Sequence, residues 1–158
     1  MNAEVVHMAF GGACTSLLAP GLVSLGRRIH PALNPDRFAL PAAAILPLFV
    51  LGHAAVMILM ASCEPPPLLD VSLHGCLLAM AIGFWLPVLG ERHRLSDPGR
   101  TVYLFLAAPT LDLPGVWVII HRHAAGGLAM IVAMLPIGLS AVVVTWRWIS
   151  REDRCPSS

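Results

Sequence analysis

The stretch LGHAAVMILMASCEPPPLLDVSLHGC, Leu51–Cys76, decides how this chain must fold. Two apolar runs meet at a triple proline, Pro65–Pro67. Proline has no backbone N–H and a fixed φ, so a helix cannot run through three in succession. One helix therefore ends here and the next begins, and the two are neighbours at the same level. Inside this apolar setting stand His53 and His74, Met57 and Met60, Cys63 and Cys76, and the carboxylates Glu64 and Asp70.

The rest of the chain is equally apolar. Of its 158 residues 57% are hydrophobic and only 12% charged, about half the charge of an ordinary soluble domain. The mean hydropathy is +0.77. A bilayer core needs roughly 20 apolar residues in helical form. Five segments qualify: 5–25, 40–61, 71–89, 101–120 and 124–146. The reading is an all-α polytopic membrane helix bundle of about five transmembrane helices, forming a single domain over 1–158. The first segment contains Gly11, Gly12 and Pro20, and the fourth Pro109 and Pro114, so kinks are expected in both. The start, MNAEVVHMAF, carries Glu4 and no basic n-region, so it reads as part of a retained helix rather than a leader.

All ten basic residues are arginine. Arg27, Arg28, Arg37, Arg92, Arg94, Arg100, Arg147, Arg151 and Arg154 fall at one end of the spans, and Arg122 at the other. The positive-inside rule then predicts an outside N-terminus and a cytoplasmic C-terminus in an inner (plasma) membrane. Trp85, Trp146 and Trp148 are expected near the cytoplasmic interface. No basic run suggests nucleic acid. The cysteines Cys14, Cys63, Cys76 and Cys155 show no paired spacing, so no disulfide framework is expected. No nucleophile–base triad, phosphate loop or paired-carboxylate site is visible, and the chain reads as a non-enzyme.

This topology puts His7, His53, His74, His121 and His123 in the outer half. His53 lies about eight residues inside its span, on the order of 12 Å deep. An ionisable residue at depth generally faces the bundle interior and serves a function. Met57 and Met60 follow it on the same face. Imidazole, thioether and thiolate together suit copper, and imidazole pairs suit haem iron. The metal candidates are His7, His53, His74 and His123. Weaker ones are Met57, Met60, Cys63, Cys76, His121 and, in the fourth span, Asp112. Each has a plain alternative: an intramembrane histidine can bond across helices, and a methionine stripe is commonly packing.

These positions carry a resemblance. LHGCLLAMAIGFWLPVLGERHRLSDPGRTVYLFLAAPT (Leu73–Thr110), HAAGGLAMIVAMLPIGLSAVVVTWRWISRED (His123–Asp153) and VHMAFGGACTSLLAPGLVSLG (Val6–Gly26) are similar in order and spacing to the multi-span CtaG family of cytochrome c oxidase assembly factors. His53 resembles the histidine of the family's next helix. The chain resembles a shortened, partly degenerate member: Gly11 stands where a second histidine is expected, and a Trp-His-x-Pro pattern is reduced to GHAA. The resemblance implies a membrane assembly factor that holds or passes copper near the outer leaflet. Its partners would be terminal oxidase subunits and a periplasmic copper donor, with lipid around it. Two other readings stand beside this one: a b-type haem protein, and a metal-free structural subunit of a membrane respiratory complex.

Overall fold

A computed structural model describes residues 3–29, 41–63, 65–90, 94–122 and 124–154. Every regular element among them is helical: α1 (Ala3–Ala13), a π-helical turn (Cys14–Leu18), α2 (Ala19–Ile29), α3 (Ala42–Ser62), α4 (Pro67–Leu89), α5 (Asp97–His121) and α6 (Ala124–Glu152). The first three pieces run continuously. Five helices are thus long and apolar enough to cross a membrane, the make-up of a multi-pass membrane protein.

The spans close into a ring. α1 packs on α6, α6 on α5, α5 on α3, α3 on α4, and α4 on α2. Phe49, Phe84, Leu77, Leu104, Leu111, Met130 and Ile137 fill the middle with no solvent contact. Leucine, valine and phenylalanine side chains cover the outer faces, as a lipid-facing surface requires. The starts of α1, α4 and α6 share one end with the finishes of α3 and α5. Among the described residues, every arginine but Arg122 lies at the opposite end.

Several helices are longer than the apolar runs foretell. α4 begins at Pro67, not Val71, because Pro67 takes the first helical position, where a missing N–H costs nothing. α5 begins at Asp97, with the Ser96 hydroxyl accepting from the Gly99 N–H at 3.3 Å. α6 runs past Trp146 to Glu152. Pro109 and Pro114 lie inside an unbroken α5.

In the first span the expected distortion is a π-turn. The Ala19 N–H reaches back to the carbonyl of Cys14, one residue further than in an α-helix. This places Pro20, which has no N–H to give, just beyond the widened turn. The carbonyl of Thr15 loses its usual partner, and the indole of Trp85 donates to it at 2.9 Å. Trp85 is therefore buried in the core, which corrects its assignment as an interfacial aromatic. Trp146, 70% exposed, does face outward.

Candidate metal centre

Side chains from the starts of α1 and α4 meet at the end opposite the arginine cluster. α4 sets its Asp70 in the first turn, where a carboxylate favours the positive end of the helix. His74 stands one turn later on the same face. Across from them, α1 supplies His7.

Three side chains converge here. His7 Nε2 is 3.2 Å from Asp70 Oδ1, and His74 Nδ1 is 3.5 Å from the same oxygen. His7, Asp70 and His74 each offer a ligand atom within 4.8 Å of the others. The two imidazoles meet edge to face with centroids 4.7 Å apart. His74 Nδ1 also faces the Asp70 backbone carbonyl at 3.0 Å. With the proton on Nδ1, that nitrogen donates to the carbonyl and leaves Nε2 as a lone-pair donor. This is the arrangement by which proteins orient a metal-binding histidine.

Two buried polar atoms of the group have no hydrogen-bond partner: His74 Nε2 and Asp70 Oδ1. The oxygen lies close to both rings without hydrogen-bonding geometry to either. Leaving such atoms unpaired costs about 1–3 kcal/mol each, so they are where a ligand would be felt. Beside them lies a thioether. A methyl group built on Gly11 would sit 3.7 Å from Met57 Sδ and 3.9 Å from His74 Nε2. Gly11 thus keeps open the space that Met57 and His74 share.

The sequence candidates divide accordingly. His7 and His74 are brought together. His53 is fully buried but does not belong to the group. It lies one helical turn deeper than Met57, packed against Phe49 with ring centroids 5.9 Å apart, and both its ring nitrogens lack partners. His123 lies outside the described residues. His121 is exposed at the end of α5, stacked on Trp117, with Nδ1 on that residue's carbonyl at 3.0 Å. Met60 is buried. Cys63 and Cys76 are exposed and stand apart from the group. Asp112 in α5 has a buried, unpartnered Oδ1 and is likewise separate.

Searches of protein-family models, of curated proteins and of solved structures each found no match. The site is therefore weighed on its own chemistry. Two imidazoles, a carboxylate and a nearby thioether make a donor set for a transition metal. The candidate ligand that sequence reasoning missed is Asp70. Its signal is the Asp-x-x-x-His spacing of residues 70–74, readable only once α4 is started at Pro67.

Proposed function

We propose that this chain is a membrane copper-holding protein that serves the assembly of a haem-copper oxidase. The observation that carries the reading is the convergence of His7, Asp70 and His74 from two spans, with buried His74 Nε2 and Asp70 Oδ1 unpartnered. The copper assignment rests on the donor set, imidazole with a thioether alongside. The oxidase setting rests on the sequence resemblance to the CtaG family. The arginine distribution supports an N-out, C-in orientation in the plasma membrane, which puts the site at the outer surface, within reach of a soluble donor.

In this reading His74 and His7 are the imidazole ligands, and Asp70 supplies negative charge and an oxygen donor. Asp70 also holds His74 in place through its own carbonyl. Met57 offers a soft donor on the inner side. Copper there would be held for transfer, with no bond made or broken by the protein. Side-chain exposure of 35% for His7 and 27% for Asp70 gives a route in and out. His74, 12% exposed, is the inner ligand. The edge-to-face contact of His7 with His74 leaves no room for a porphyrin between those two rings, so this pair favours a single ion over haem.

The test is oxidase assembly in cells carrying His74→Ala or Asp70→Asn, with His121→Ala as a control at the same end. The first two should lose oxidase copper while the control keeps it. Full oxidase copper in all three would sink the assembly role and leave the structural-subunit reading.

A further inference from the structure

A second feature lies at the opposite end of the bundle and is independent of the metal site. The start of α5 and the finish of α6 enclose a cleft of about 370 Å³. Its wall carries Arg94, Arg100, Arg147, Arg151 and Arg154, with Trp146 at its side. The positive-inside tendency accounts for arginines at this end, but not for five of them around one cavity.

The charges there are poorly compensated. Asp97 contacts both Arg100 and Arg151. Among the described residues, Arg94 and Arg147 have no carboxylate within ion-pair distance. Arg100 is only 6% exposed and its Nε is buried without a hydrogen-bond partner. It also sits in the first turn of α5, where the helix dipole opposes a cation. The stems at the mouth are already fixed: Arg151 Nε donates to the Arg147 carbonyl at 3.1 Å and Arg154 Nε to the Ser150 carbonyl at 2.8 Å. Arg154 keeps its other guanidinium donors, and Arg151 keeps those that Asp97 does not engage. Such a fork of preset donors matches the oxygens of a phosphate.

We infer that this cleft binds the headgroup phosphate of an anionic phospholipid. What selects a lipid over free phosphate is the surface leading away from the mouth. Leu135, Leu139, Val143 and Trp146 follow one another at helical spacing along α6, each at least 48% exposed. They form an apolar track on which an acyl chain can lie while the phosphate stays among the arginines. A zwitterionic headgroup would bring its own cation into the cluster.

The experiment uses the whole chain in mild detergent, with retained lipid read by native mass spectrometry and thermal stability followed in parallel. Phosphatidylglycerol should be retained and should raise the unfolding temperature; phosphatidylcholine should do neither. An arginine near an anionic headgroup is worth about fivefold in affinity. The exposed double variant Arg94→Gln/Arg147→Gln should therefore weaken phosphatidylglycerol binding about thirtyfold. Arg122→Gln, at the other end, should leave it unchanged. Equal retention of phosphatidylcholine, or full retention by a folded double variant, would overturn the site. Equal binding of glycerol 3-phosphate would overturn the lipid assignment.

Discussion

Two adjacent glycines separate the proposed metal site from the packing of the bundle. A Cβ at Gly11 would meet the Met57 methyl at 3.2 Å, with Met57 Sδ at 3.7 Å and His74 Nε2 at 3.9 Å. The tight contact is with the free end of a flexible side chain, which can turn aside. Alanine also favours the helix by up to about 1 kcal/mol over glycine. Gly11→Ala should therefore leave stability unchanged or slightly raised. It would, however, fill the space between the thioether and the open nitrogen of His74. Displacing groups that orient a metal ligand typically costs about 10–100-fold in affinity, and that loss is expected here. A Cβ at Gly12 instead falls 2.8 Å from Ala133 Cβ and 3.2 Å from the Met130 carbonyl. Neither neighbour can rotate away, so α1 and α6 must separate. Overpacking of this kind costs about 1–3 kcal/mol, with the site's donors untouched. Thermal unfolding in detergent and copper titration on both variants give the comparison. If Gly11→Ala bound copper as wild type does, Met57 and His74 would not share a ligand space. If it destabilised the chain as much as Gly12→Ala, the packing argument would fail.

Other consequences are open to measurement. His53→Leu should keep copper binding and raise stability by about 1–3 kcal/mol, because it removes two buried ring nitrogens without partners; a variant that lost copper would put His53 back among the ligands. Reporter fusions should be active outside at Pro66 and beside His123, and inside at Pro35, Pro98 and Ser157; outside activity at Ser157 would overturn the orientation.

The five spans were legible because apolar runs of bilayer length are a strong signal and the prolines mark where they turn. His7 and His74 were also legible, since both open a span at the same end. Three features were not. Asp70 was hidden by starting α4 at the first clearly apolar run, which left a first-turn carboxylate in the Pro65–Pro67 connection. The depth of His53 could be counted, but not its separation from the other two histidines, which depends on how the helices rotate about their axes. Trp85 sits near a span end, where an aromatic is expected to face the interface. Only the carbonyl freed by the π-turn at Cys14–Leu18 explains why its indole turns inward. In each case tertiary placement, which local sequence does not set, fixes where the side chain lies.

The most direct test of the central claim is copper stoichiometry of the purified chain, wild type against His74→Ala, by elemental analysis after copper loading and desalting in mild detergent. The account predicts close to one copper per wild-type chain and almost none in the variant, with both eluting as folded protein. Equal copper in the two, or none in either, would contradict it.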